Sequence, residues 1–248
     1  MGLLYKLDAR DSGNLWANTG KTTPSTNGSA VVVWSPSSGS AITNDCTQST
    51  AANQPALNTN YLSSGKPAVV FDGSNDRLLT SDSNAWDVTD ITVIVAARAS
   101  AVTGDRLFCT KWDAGNWNNG WGLGFSGTRF TGQGSSWNPS GQPASTGAQL
   151  CAIRGTAAWR DSYYNGRFEG APGTSIPANS YAFAIGAGNG GQYAMAIGIH
   201  CVLIYDTALT NAEFDSALYD CDSAFGLGFF TTRASGKPSH PMYQQVIG

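Results

Sequence analysis

The stretch that most constrains the fold runs from Tyr193 to Phe214, YAMAIGIHCVLIYDTALTNAEF. Its first part, Ala194 to Tyr205, is a nearly unbroken apolar run rich in Ile and Val. A run of this length is too short to cross a bilayer as a helix. It is also too continuous for a strand with one wet face, so it predicts a strand covered on both sides. Asp206-Thr207-Ala208 reads as a turn. Beyond it, Thr210 and Glu213 have the spacing of a capping box, with Leu209 and Phe214 placed as its hydrophobic staple. The expectation is a central strand delivered into one short, capped helix.

The remaining apolar segments are strand-like and recur every dozen or so residues, separated by Gly, Asn, Asp and Ser. Residues 4–8 and 31–34 predict short strands, and 69–71 a third, turned by Asp72-Gly-Ser-Asn-Asp76. Residues 88–97 form the cleanest strand, 107–111 and 121–125 an adjacent pair, and 150–154 another strand. Residues 159–168 hold a hairpin marked by Asn165-Gly166, and 182–186 precede the central strand. Residues 35–64 read as a long loop held by Trp34, Leu57 and Tyr61. Together these predict an all-β, two-sheet antiparallel sandwich over residues 1–230 with one short C-terminal helix. Residues 231–248 lack apolar periodicity and carry two prolines. They predict an extended arm that either docks a neighbouring copy or packs back on its own domain, with Arg233, Lys237 and Tyr243 as its contact residues.

Composition sets outer bounds. A chain of 248 residues can bury a core without staples, and 12% charged residues with 11% aromatic ones describe a turn-rich β protein rather than a disordered one. A net charge of −3 with no basic cluster argues against nucleic acid and anionic membrane as partners. Charges at Lys6 and Asp8 interrupt the apolar centre that a signal peptide needs, so synthesis in a cytoplasm is expected. Five cysteines without a CxxC pair disfavour a zinc site. Cys109, Cys151 and Cys201 sit in apolar runs and read as buried thiols. Cys46 and Cys221 lie in more polar settings, where a bond to another subunit is conceivable.

The segment IGAGNGG…AIGIHCVLIYDTALTNAEF resembles the C-terminal signature of laminin-G-like, concanavalin-A-like domains. KPAVVFDGSNDRL (66–78), TQSTAANQPAL (47–57) and the opening LYKLDARD (4–11) are similar to other parts of the same superfamily, so the resemblance spans nearly the whole chain. It implies a jelly-roll sandwich. Cys201 stands where many relatives carry an acidic residue, which removes any role of that acid here. Within the superfamily the chain looks like domains found in bacteriophage virion proteins. That resemblance implies a capsid decoration or tail-associated protein on the virion exterior, partnered by copies of itself and other virion proteins.

Enzyme signatures are sparse. The chain has two glutamates, Glu169 and Glu213, the second already assigned to the helix cap, and two histidines. Of these, His200 lies in the buried run and His240 in the arm. No pair of carboxylates alternates along a strand as glycosidases of this fold require. The expectation is a non-enzyme without a cofactor. Binding chemistry is more visible in KWDAGNWNNGW (111–121), where tryptophans interleave with Asp and Asn in a loop between strands. Sugars rest apolar C–H faces on aromatic rings while amides and carboxylates meet their hydroxyls. The candidate glycan-binding residues are therefore Trp112, Asp113, Asn116, Trp117 and Asn118, with Trp137 from a second loop. In the competing reading Trp112 and Trp121 end their strands in the core and only Trp117 is exposed. Asp72, Asn75 and Asp76 offer hard oxygens for calcium, against the simpler reading that they cap their own turn.

The function classes left standing are three. The first is a structural or adhesion protein of a virus particle displaying a weak surface for host polysaccharide. A dedicated carbohydrate-binding lectin is the second, and a glycan-degrading enzyme is the third.

Overall fold

The computed structural model describes residues 2–112, 120–127, 129–133, 143–156, 160–170, 180–232 and 238–239. In chain order the strands are β1 (Leu3–Asp8), β2 (Leu15–Trp16), β3 (Val33–Trp34), β4 (Cys46–Thr47), β5 (Ala56–Asn58), β6 (Ala68–Asp72), β7 (Leu78–Leu79) and β8 (Ile91–Ala99). They continue with β9 (Arg106–Lys111), β10 (Trp121–Ser126), β11 (Arg129–Gln133), β12 (Gly147–Gly155), β13 (Arg160–Tyr164), β14 (Arg167–Gly170), β15 (Phe183–Ile185) and β16 (Ala196–Tyr205). A helix, α1 (Asn211–Phe225), follows, and then a small hairpin of β17 (Thr231–Thr232) and β18 (Pro238–Ser239) beside α1.

These strands form two antiparallel sheets. The first is ordered β14-β13-β12-β8-β16-β6-β5. Its β16 pairs β8 along one edge and, along the other, β6 with its first half and β1 with its second. The second is ordered β11-β10-β9-β15-β7-β4-β3-β2. The two-sheet sandwich with one helix is what the strand spacing predicts. The stretch 35–64 is less loop-like than expected, because β4 joins the second sheet through Val33–Thr47 and Trp34–Cys46 while β5 extends the first through β6.

The central strands are dry on both faces, as their unbroken apolar runs predict. Val93, Val95, Ala97 and Ala99 of β8 face the core between the sheets, packed with Ile197, Ile199, Val202 and Ile204 of β16. On the opposite face Ile94, Ala96, Leu150 and Ala152 meet Phe214, Leu218, Cys221 and Phe225 of α1. At about 1.5–3 kcal/mol for each large aliphatic side chain taken from water, the four aliphatics of β16 alone represent about 6–12 kcal/mol of transfer free energy before entropy is charged.

The helix is fixed at both ends. Thr210 Oγ1 accepts from the Glu213 amide and the Glu213 carboxylate accepts from the Thr210 amide at 3.0 Å, which completes the expected capping box. Gly226 closes the other end in a left-handed conformation. The turn before the helix is pinned as well. Thr92 Oγ1 donates to the Thr207 carbonyl and accepts from the Leu209 amide, while Arg154 donates to the Leu209 carbonyl and Asn211 Oδ1 with its guanidinium 4.8 Å over the Phe214 ring. After α1, the Asp222 carboxylate accepts from the Phe229 and Phe230 amides, so the chain leaving the helix is tied to it.

One irregularity in β16 matters later. Its register against β8 shifts between Ile199 and Cys201, so the inward set changes parity from Ile197 and Ile199 to Val202 and Ile204. The bulge sits at His200, whose ring is fully buried and stacked on Phe225 at 5.2 Å. Its Nδ1 lies 2.7 Å from the Pro67 carbonyl, which can only accept, so Nδ1 carries the proton. Among the described residues Nε2 has no hydrogen-bond partner.

Two predictions follow from this packing. A Cβ on Gly186, which has φ +84°, would run into the Phe71 ring, so Gly186→Ala should cost at least about 2 kcal/mol in urea unfolding. Burial pushes His200 down to about 4; nearby Arg98 and Lys66 reinforce this, and the Pro67 hydrogen bond and Asp8 oppose it. The unfolded chain then takes up a proton that the folded one refuses. Stability contributed by neutral His200 is complete above pH ~6.5 and declines toward pH ~4, by about 3 kcal/mol at most. Urea midpoints for the native chain and His200→Gln should converge or cross over that window, and parallel curves would exclude the effect.

Candidate functional site

At one end of the second sheet, the end of β9 meets the connection from β15 to β16. Lys111 closes β9; its ammonium lies 3.1 Å from both Asp82 and Asp87, and the side chain is buried. Trp112 follows. Its indole packs against Tyr193 with ring centroids 6.0 Å apart, and its carbonyl accepts from Asn189 Nδ2 at 3.3 Å.

The connection itself is a tight turn made possible by its glycines. The Gly188 amide donates to the Gln192 carbonyl and the Gly191 amide to the Gly188 carbonyl, both at 2.8 Å. The Gln192 side chain folds back across the turn, so that a Cβ on Gly190 would sit 2.8 Å from Gln192 Oε1. Gly191 has φ +86°, and a Cβ there would meet Arg77 Nη1 at 2.5 Å, so the Arg77 guanidinium lies directly on the turn. The Tyr193 carbonyl accepts from the Leu107 amide, which fastens the far side of the turn to β9.

Three polar atoms in this small region are buried without a hydrogen-bond partner among the described residues: Asn189 Oδ1, Gln192 Oε1 and Arg77 Nε. A buried unpaired amide oxygen or guanidinium N–H costs about 1–3 kcal/mol. Two of them belong to the turn and the third to Arg77 packed on it, so two acceptors and a donor are gathered beside a half-buried tyrosine.

Sequence reasoning placed the binding chemistry on the loop that follows Trp112 and not on these residues. Trp112 is 1% exposed and Trp121 likewise, matching the reading in which both end their strands in the core. Trp112 therefore supports the Tyr193 ring from beneath and is not itself offered to solvent. Asp113, Asn116, Trp117, Asn118 and Trp137 lie outside the described residues, as do Arg233, Lys237 and Tyr243 of the arm and His240. Arg77, Asn189, Gln192 and Tyr193 were missed. Their signal was the glycine density of Gly186 to Gly191, which reads as a family signature unless one asks what side chain must lie over glycines so closely spaced.

The Asp72–Asp76 turn is self-contained. Asp72 Oδ1 accepts from the amides of Ser74, Asn75 and Asp76, and Asp76 Oδ2 accepts from the Asp72 amide at 2.9 Å. Burial works against the charge on Asp72, but those amides outweigh it and hold its carboxyl below the ordinary range. Burial, with the Asp72 charge adding to it, pushes Asp76 up to about 6. Asp72 Oδ1 and Asp76 Oδ2 are thus engaged by the turn's own amides. Among the described residues, no group of three or more His, Cys, Asp or Glu is arranged to hold a metal.

All five cysteines are buried, as the buried-thiol reading expects. Cys46 is fully enclosed with its sulfur 3.4 Å from the Tyr5 hydroxyl, and Cys221 is 4% exposed, so neither is presented to another subunit.

No family model matches this sequence, and no curated protein matches it. Solved structures do match the fold. Trypanosoma rangeli sialidase in complex with sialic acid superposes with a TM-score of 0.60 at 13% identity, over 89% of this chain and 33% of that one. Domain 4 of AbnA, a GH43 extracellular arabinanase from Geobacillus stearothermophilus solved with arabinotriose, gives 0.55 at 15% identity, over 88% and 97%. Botulinum neurotoxin type C, in a structure concerned with binding of two ganglioside molecules, gives 0.55 at 8% identity, over 89% and 51%. This chain spans about a third of the sialidase it matches. The fold is an all-β sandwich.

Proposed function

We propose that this chain is a non-enzymatic glycan-binding β-sandwich whose binding surface is the Gly188–Tyr193 turn with Arg77 beside it. The observation that carries the reading is the set of unpartnered polar atoms on Asn189, Gln192 and Arg77 next to the Tyr193 ring. A sugar supplies what that surface lacks. Its hydroxyls donate to the two amide oxygens and accept from the guanidinium, while a C–H face rests on the tyrosine. Glycan chemistry in the matched sialidase, arabinanase domain and neurotoxin supports the ligand class.

The non-enzymatic reading is supported by where the carboxylates go. Glu213 caps α1, and Asp72 and Asp76 are committed to one turn. A further placement, on the exterior of a virus particle beside copies of itself and other virion proteins, rests on the resemblance of the opening and closing segments to phage virion domains.

The test uses isothermal titration against sialic acid, arabinotriose and a ganglioside headgroup, together with a reducing-end assay. Binding to at least one and hydrolysis of none is expected. Gln192→Leu removes a buried unpaired oxygen, so it should weaken that binding at least about tenfold while leaving stability unchanged or raised by about 1 kcal/mol. Binding that survives Gln192→Leu and Asn189→Ala would move the site elsewhere. Sugar release that tracks the protein would replace the reading with an enzymatic one.

A further inference from the structure

The outer face of the first sheet carries a second feature that glycan binding does not use. Cys201 on β16 and Cys221 on α1 place their sulfurs 3.8 Å apart. Both line a cavity of about 260 Å3 between the helix and the β1–β16 edge, walled by Leu3, Leu203, Tyr205, Ala224 and Phe225. At its mouth Arg10 makes a paired contact with the Asp8 carboxylate, at 2.9 and 2.6 Å, and lies 4.6 Å over the Phe225 ring. Cys46, Cys109 and Cys151 are fully buried in the core between the sheets and line no part of this cavity.

The juxtaposition is built by the fold. The bulge at His200 turns Cys201 out of the inter-sheet core and toward the helix, and Cys221 belongs to the helix face that covers the sheet. The covalent S–S distance is about 2.05 Å, so side-chain rotation has to bring the sulfurs together by roughly 1.8 Å.

We infer that Cys201 and Cys221 are a dithiol pair that closes to an intramolecular disulfide, clamping α1 to β16, when a small disulfide enters the cavity. In the first step one cysteine thiolate attacks a sulfur of the incoming disulfide, forming a mixed disulfide and releasing one thiolate of the reagent. The second cysteine then attacks the protein-bound sulfur, forming the Cys201–Cys221 bond and expelling the other half as a second thiolate. Two protein thiols are oxidised, one small disulfide is reduced to two thiolates, and the two protons of the protein thiols pass through solvent to those thiolates. Hydrogen bonding to Cys201, followed by burial, holds the Cys221 thiol well above the usual range, so the exchange is slow near neutral pH.

The experiment equilibrates the whole chain in glutathione redox buffers at mildly alkaline pH, then counts free thiols and maps cross-linked peptides by mass spectrometry. Oxidation should lower the count from five thiols to three, with one cross-link joining Cys201 and Cys221 and a monomer on non-reducing electrophoresis. The closed loop of 20 residues should raise the thermal midpoint by about 10 °C. Cys221→Ser should keep all four of its remaining thiols under the same conditions and lose the rise in midpoint. Five titratable thiols throughout, a cross-link between other cysteines, or glutathione retained on Cys201 without ring closure would each overturn the assignment. Cys201→Ser, isosteric on the strand side, repeats the comparison should the helix variant not fold.

Discussion

The structure depends on one constraint: the β8–β16 pair at the centre of the first sheet must be kept from water on both faces. A sheet covers one such face by packing on its partner, and here the second sheet does so. The other face needs a separate cover, and α1 is that cover. Its position accounts for the effort spent on the turn that precedes it. Thr92, from β8 itself, holds the turn, and Arg154 from β12 holds the start of the helix, so the strands that need covering also anchor the element that covers them.

That division gives the two faces different characters. The inter-sheet core is a packed cluster of aromatics such as Trp34, Trp86, Trp121 and Phe183, fixed in place by neighbouring rings. The helix face is looser at its edge, where β1 extends beyond α1 and leaves a cavity lined by two thiols. The end of the second sheet is different again. There Asn189 Oδ1, Gln192 Oε1 and Arg77 Nε are buried without a hydrogen-bond partner among the described residues, whereas the Asp72–Asp76 turn is closed by its own amides. Such departures from internal consistency concentrate where binding happens.

Much of the fold was legible in the sequence. The apolar run of β16, the Thr210–Glu213 box and the Asn165-Gly166 hairpin are local signals, and each is seen where it was expected. Asn165 and Gly166 take the positive φ angles that a tight hairpin demands. The two-residue strands β4 and β7 were not legible, because segments so short have no periodicity and exist only through their pairing partners. Nor was the bulge at His200, since a parity change inside a run that is apolar at every position leaves no mark. The site suffered from the same limit. A tryptophan-rich loop announces binding chemistry, yet Trp112 proves to be a buried prop. Asn189 and Gln192 are ordinary amides in a glycine turn, and only the fold shows that their oxygens have no partner among the described residues.

The most direct test of the account is a two-dimensional 1H–15N spectrum recorded as sialic acid or arabinotriose is added, read at the side-chain amides of Asn189 and Gln192 and at the Arg77 Nε–H. The account expects these three signals to shift together and saturably, ahead of those from the helix face. Saturable shifts confined to another surface, with these three unmoved, would contradict it.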